Sequence, residues 1–271
     1  MEGLCLLLGA LFALSVLAHA PVITDLQPHK HTPLLALSPT AIAASEERGA
    51  VSFSLSGESA DPIDELYFFG ESTTAHLRNA GVLRDGRNTH QVLAPSSNTV
   101  MLTRQTADLL LVDPMGGSCT LRQFAAREKP GRFLFCFGLN GITQFSKDPA
   151  RYLEEYYHLC QAVWEQSPET EILVQTVYPV ARAPLHWSFS SSPAEINTAL
   201  TALNAQLQQL EEMDPRITCI DLGGVLRDAE GFLPEDATTD GIHLTPAAYQ
   251  KVLSALRETL LSTPLKKGES L

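Results

Sequence analysis

This 271-residue chain has no Cys-x-x-Cys pair among its five cysteines, so the closely spaced thiolates of a structural zinc site are missing. Basic residues are few: 19 lysines and arginines face 31 aspartates and glutamates, for a net charge of −12. The basic residues form no stripe, and a surface of that sign repels phosphate, which excludes a nucleic-acid partner. There is no internal repeat and no low-complexity tract, so repeat architectures are excluded too. The one long apolar run lies at the N-terminus, from Leu4 to Ala20.

That run ends in Ala18-His19-Ala20, a small-x-small pattern, and reads as a secretory signal or N-terminal anchor over residues 1–20. Glu2 precedes it without any Lys or Arg, and the run is a little short for a full membrane span. An extracytoplasmic location is expected, secreted or held at a membrane or wall, with membrane contact only through this segment if it is uncleaved. Residues 21–62 are rich in proline and small residues and read as a linker with one edge strand at Val51 to Leu55. Residues 63–263, at an overall apolar content of 44%, suffice for one enzyme-sized domain, and 264–271 form a tail.

Within the domain, Leu66-Tyr67-Phe68-Phe69 runs straight into Gly70-Glu71-Ser72. A continuous apolar run is the pattern of a strand buried on both faces. Gly70 permits a sharp exit that leaves Ser72 at the strand's carboxyl end, where ligands bind in open α/β sheets. The tripeptide recurs at Gly57-Glu58-Ser59, but there it follows the alternating Val51-Ser52-Phe53-Ser54-Leu55, a half-solvated pattern, and Asp61-Pro62 soon interrupts. Ser72 is the stronger nucleophile. Near the other end, Asp240-Gly241-Ile242-His243 precedes Thr245-Pro246, a cap and first-turn pair that opens a helix. A serine hydroxyl needs a base, and the base an orienting acid; Asp240 and His243 lie on one short loop and can supply both.

A second buried-strand pattern, Arg132 to Phe137, ends in Gly138-Leu139-Asn140-Gly141, where a side-chain amide can donate to an oxyanion. With Gly70-Glu71-Ser72, Gly138-x-Asn140 and Asp240-x-x-His243 in that order, the chain resembles the SGNH hydrolases, or GDSL esterase and lipase superfamily, over roughly residues 64 to 262. The resemblance implies a catalytic triad of Ser72, Asp240 and His243, with Ser72 N–H and Asn140 as oxyanion donors and Gly138 supporting their loop. Two departures stand out. Glu71 replaces the family's Asp and adds a methylene beside the nucleophile. Gly141 replaces the Asp that follows the oxyanion Asn, which is expected to remove a hydrogen bond from that loop. The family's glycine block has no clean counterpart, although Val92 to Asn98 occupies about its place, with Ser97 or Asn98 as a backbone donor.

The rest alternates strands and helices, as a parallel sheet with crossover helices requires. Asp148-Pro149 opens a helix whose Tyr152, Leu153, Tyr156, Leu159, Cys160, Val163 and Trp164 recur at helical spacing as core. A strand spans Glu171 to Pro179, Ser192-Pro193-Ala194-Glu195 is a capping box, and another strand spans Ile217 to Leu222. The expected fold is a three-layer α/β/α sandwich of roughly five parallel strands, SGNH- or flavodoxin-like. An α/β-hydrolase shares the order Ser, Asp, His, but its Gly-x-Ser-x-Gly elbow is broken here by Thr74. Of the cysteines, Cys5 lies in the leader, while Cys136, Cys160 and Cys219 sit in apolar patterns and, with Cys119, read as free thiols.

The function expected is an exported serine esterase that cleaves acyl groups, acetyl foremost, from carbohydrate through an acyl-enzyme. A lysophospholipase or small-ester lipase is the nearest alternative, and a catalytically impaired glycan- or partner-binding module is the alternative of another class. His186 and Trp187, in the loop after Pro179, are candidates for a substrate wall. No metal or organic cofactor is expected; His29 and His31 sit in the linker and read as solvated loop.

Overall fold

The computed structural model describes residues 61–182 and 189–262. The leader, the edge strand at Val51, the Gly57-Glu58-Ser59 repeat and the pair His186 and Trp187 lie outside the described residues. Asp61 opens the described chain by accepting from Ile63 N at 3.1 Å, which caps a 3-10 turn over Pro62–Glu65. Its carboxylate also takes Arg257 Nη2 at 2.6 Å.

Five parallel strands build the sheet: β1 (Leu66–Gly70), β2 (Val92–Leu93), β5 (Arg132–Cys136), β6 (Glu171–Gln175) and β7 (Ile217–Ile220), in the order β2-β1-β5-β6-β7. Between β2 and β5 a small antiparallel hairpin pairs β3 (Leu111–Val112) with β4 (Ser118–Cys119). The helices are α1 (Ser72–Ala80), α2 (Leu121–Glu128), α3 (Ile142–Phe145), α4 (Pro149–Trp164), α5 (Pro193–Leu207), α6 (Gln209–Met213) and α7 (Pro246–Ser262). The fold is the three-layer α/β/α sandwich.

Side-chain alternation along the strands explains the layers. Phe69, Phe133 and Phe135 point into a cluster with Leu121 and Phe124 of α2, Tyr152 and Tyr156 of α4, and Leu200 and Leu203 of α5. Their neighbours Leu66, Phe68 and Leu134 point the other way, onto Leu77 of α1 and Tyr249, Val252 and Leu256 of α7. Because each face is covered by helices, both sets of positions must be apolar, and the strands read as unbroken runs. Fully burying one such phenylalanine contributes roughly 1.5–3 kcal/mol.

The caps form as expected from the residue types. Asp148 accepts from Arg151 N, with Pro149 in the first turn of α4. Ser192 and Glu195 form the reciprocal box at α5, and Thr245 Oγ1 accepts from Ala248 N at 3.3 Å at the start of α7. The thiols of Cys119, Cys136, Cys160 and Cys219 are free.

Two strands are shorter than the sequence suggests. β7 stops at Ile220, and the exposed Asp221 that follows turns the chain, its Oδ1 accepting from Thr176 Oγ1 at 2.7 Å and Gly224 N at 2.8 Å. β6 stops at Gln175, and the chain beyond it is held by side chains instead of a strand. Asn204 accepts from Val177 N at 2.8 Å and donates to Val177 O at 3.0 Å. Asn197, seven residues earlier on α5, does the same for Val180 at 2.8 and 2.9 Å.

Candidate active site

The site begins with the exit from β1. A Cβ on Gly70 would lie 2.3 Å from Thr74 Oγ1 and 2.4 Å from Cys136 O, so only glycine lets the chain turn this closely against β5. Glu71 N–H donates to Cys136 O at 3.1 Å, and α1 starts with Ser72 at its first position. The amide there has no acceptor within the helix, so it stays available beside the hydroxyl.

The triad expected from the sequence is assembled in space. Asp240 Oδ2 lies 2.6 Å from His243 Nδ1, and His243 Nε2 lies 2.9 Å from Ser72 Oγ. A carboxylate only accepts, so Nδ1 carries the ring proton and Nε2 is left to accept from the serine hydroxyl. Asp240 Oδ1 accepts from Ile242 N at 3.0 Å and His243 N at 2.8 Å, so one short loop holds the carboxylate, the ring and their backbone together. Burial pushes the Asp240 carboxyl up, but the hydrogen bonds from the His243 ring and from the two amides outweigh it, and the group ends below the ordinary aspartate value. A hydroxyl against an imidazole that a carboxylate orients is the arrangement that activates serine for attack.

Tertiary contacts fix the loop that carries Asp240 and His243. Ala181 N–H donates to Gly241 O at 2.9 Å, and Leu233 N–H donates to Val180 O at 3.1 Å. The residues pinned by Asn197 therefore hold the triad loop in turn. On the other side, Tyr249 of α7 donates its hydroxyl to Thr73 O at 2.5 Å and ties α7 to α1 just behind Ser72.

Glu71 corrects the expected defect in the oxyanion loop. Its carboxylate is buried and accepts from Gly138 N at 2.9 Å, Leu139 N at 3.0 Å and Asn140 N at 3.1 Å. The loop that lacks an Asp at position 141 is thus held from the opposite side, by the residue next to the nucleophile. A side chain at position 141 would not fit: a Cβ there would lie 2.2 Å from the ring of Phe145. Burial raises the Glu71 carboxyl to about 7 against the opposing pull of the amides of Gly138, Asn140 and Leu139.

Asn140 is tied to a neighbouring segment as well. Its Nδ2 carries two hydrogens, and they go to Val100 O at 2.7 Å and Thr99 Oγ1 at 3.1 Å. The amide expected to donate to an oxyanion here donates to the segment that follows β2. Asn98, in the left-handed conformation at φ 55, takes Arg78 Nη2 of α1 on its Oδ1 at 2.9 Å. Its own N–H is occupied by Pro95 O at 2.9 Å, so Asn98 is removed as a backbone donor to an oxyanion.

Two site residues were missed in the sequence. Glu71 was visible as a charge placed directly after a buried run, a position that needs partners. His76 stacks on His243 with ring centroids 4.0 Å apart; its signal was the spacing of four from Ser72, which puts both on one helix face. Among the described residues, no group of three or more His, Cys, Asp or Glu is arranged to hold a metal ion.

The model of the GDSL-like lipase/acylhydrolase family matches residues 68–251, from β1 through the triad loop into α7. The chain belongs to this family and is an ester-hydrolysing serine hydrolase of the SGNH type. A solved structure from Streptococcus pneumonia, described as a platelet activating factor, is 20% identical, with 72% of this chain and 83% of that chain covered at a TM-score of 0.50. The native M. smegmatis aryl esterase is also 20% identical, covering 73% of this chain and 98% of its own at a TM-score of 0.47. A carbohydrate acetylesterase from Sinorhizobium meliloti is 16% identical, with 73% and 98% covered at 0.47. No curated protein matches the chain.

Proposed function

We propose that this esterase acts through Ser72, His243 and Asp240 on acyl groups carried by carbohydrate outside the cytoplasm, with acetyl the favoured group. The observation that supports the chemistry most is the continuous hydrogen-bonded chain from Asp240 Oδ2 through His243 to Ser72 Oγ, with links of 2.6 and 2.9 Å. His243 takes the serine proton as Oγ attacks the ester carbonyl, and Asp240 stabilises the imidazolium that forms. The tetrahedral oxyanion is held by Ser72 N–H and by Asn140, whose Nδ2 exchanges its exposed partner Thr99 Oγ1 for the substrate oxygen. His243 then protonates the leaving alcohol, and an acyl-Ser72 ester remains. Water, giving its proton to the same imidazole, attacks that ester, and the acid and free serine are released.

The apolar Leu4 to Ala20, ending in Ala18-His19-Ala20, supports export. One observation favours a lipid ester instead: Leu110 and Met115, beside and within the β3–β4 hairpin, are 68% and 69% exposed. Hydrolysis of p-nitrophenyl acetate and longer-chain p-nitrophenyl esters, of acetylated xylan and of lysophosphatidylcholine separates the two, with Ser72→Ala and His243→Ala alongside. Release of acetate from xylan, together with loss of at least a thousandfold in both variants, is expected, since triad members act as a unit. Preference for lysophosphatidylcholine would move the substrate to lipid. Variants as active as the wild type, with Ser72 unlabelled by a fluorophosphonate, would leave a binding module.

A further inference from the structure

We propose that His76 is a positioning residue of this site: its stacked ring fixes the plane in which His243 exchanges a proton between Ser72 and the leaving alcohol. The inference rests on the assignment of His243 as the base. Both hydrogen bonds of the His243 ring, to Asp240 and to Ser72, are made at ring nitrogens and so lie near the ring plane. Neither resists a tilt of the ring about the line that joins them. His76 supplies that restraint, with centroids at 4.0 Å and planes within 25° of parallel.

The position follows from the sequence. Ser72 opens α1, and a residue four further on lies one turn along the same face. The nucleophile and the stacking ring are therefore delivered by one rigid element, and the distance between them does not depend on any loop. His76 is half-buried, and among the described residues its ring nitrogens make no hydrogen bond, so stacking is its principal contact.

The stack also suits the charge that appears during attack. An imidazolium is stabilised over the face of a neutral aromatic ring and opposed by a second cation. Burial, and then the charge of His243, disfavour a proton on His76, against the pull of Asp240 in the other direction. The other cations of α1 and its following turn are engaged elsewhere: Arg78 by Asn98 Oδ1, Arg84 by Asp64 Oδ2 and Arg87 by Asn79 O. Tyr249, from α7, spends its hydroxyl on Thr73 O. The proton of the serine thus goes to His243, and His76 stays a neutral face against it.

The test uses the full chain and p-nitrophenyl acetate, with kcat and KM measured between pH 5 and 9 for His76→Ala, His76→Gln, His76→Phe and Ser72→Ala. Removing the ring is expected to lower kcat about tenfold in Ala and Gln, the scale of a misplaced catalytic group, with KM within about twofold. Phe restores a stacking face and is expected to keep kcat within about threefold of wild type, with an acid limb that still reports one proton. Wild-type kcat in both Ala and Gln sinks the proposal, and so does a Phe variant as slow as they are. If Ala does not fold, as read by circular dichroism, the comparison of Gln with Phe decides. A Ser72→Ala enzyme with wild-type rate overturns the assignment of the site itself, an outcome distinct from a silent His76.

Discussion

At the scale of single residues, Glu71 carries more than its place beside the nucleophile suggests. One carboxylate receives the amides of Gly138, Leu139 and Asn140, so the loop from Gly138 to Asn140 and the turn that carries Ser72 are a single hydrogen-bonded unit. A carboxylate one methylene shorter would sit farther from these amides. Glu71→Asp, although it restores the family's usual residue, is expected to lower kcat at least tenfold, because a displaced oxyanion donor costs up to about 100- to 1,000-fold. Unchanged kcat for that variant, measured with p-nitrophenyl acetate, would show that the loop holds its shape without the tether. Thr99 is coupled to Asn140 through Nδ2; Thr99→Val frees one amide hydrogen and is expected to leave KM nearly unchanged while altering kcat.

At the scale of elements, the carboxyl end of β6 depends on α5. Asn197 and Asn204 each satisfy both backbone groups of a residue that no strand pairs, Val180 and Val177. These amides are buried; truncating Asn204 leaves both backbone groups of Val177 without partners, whereas truncating Asn197 orphans Val180 N–H while Val180 O keeps Leu233 N–H at 3.1 Å. Asn204→Ala is therefore expected to cost about 2–4 kcal/mol, and Asn197→Ala less, about 1–3 kcal/mol, measured by urea unfolding. Asn197 should also slow catalysis, because Val180 and Ala181 bond to Leu233 and to Gly241 of the triad loop. Tyr249→Phe removes the bond to Thr73 O and is expected to cost about 1 kcal/mol. Equal stability of wild type and Asn204→Ala would mean that water replaces the amide.

At the scale of the whole molecule, pH divides the acidic groups into two windows. Asp61, Asp113, Asp214 and Asp240 have carboxyls held below their ordinary value, each drawn down by guanidinium, imidazole or backbone hydrogen bonds against burial. Their stabilisation is present above the unfolded value of 3.8 and is lost as pH falls below it. Glu71 runs the other way. Its folded value is raised from 4.5 to about 7, so the folded chain holds that proton while the unfolded chain releases it. Its contribution is complete below 4.5, is lost as pH rises to about 7, and amounts to on the order of 3 kcal/mol. The difference in unfolding free energy between wild type and Glu71→Gln is expected to fall by that order between pH 4.5 and 8. A difference that stays flat would place the Glu71 titration outside that range.

The buried runs at Leu66–Phe69 and Arg132–Phe137, the caps at Asp148, Ser192 and Thr245, and the order of Ser72, Asn140, Asp240 and His243 were all legible in the chain. Each is a local signal: side-chain polarity, turn chemistry and spacing act within a few residues, and so they determine the elements, the layered fold and the family. What only the tertiary structure decided is how distant residues share hydrogen bonds. Glu71 and Asn140 are 69 residues apart, Asn140 and Thr99 are 41 apart, and Ser72 and His243 are 171 apart. No periodicity encodes such pairs, because a buried donor takes whichever acceptor the packed sheet and helices bring within 3 Å.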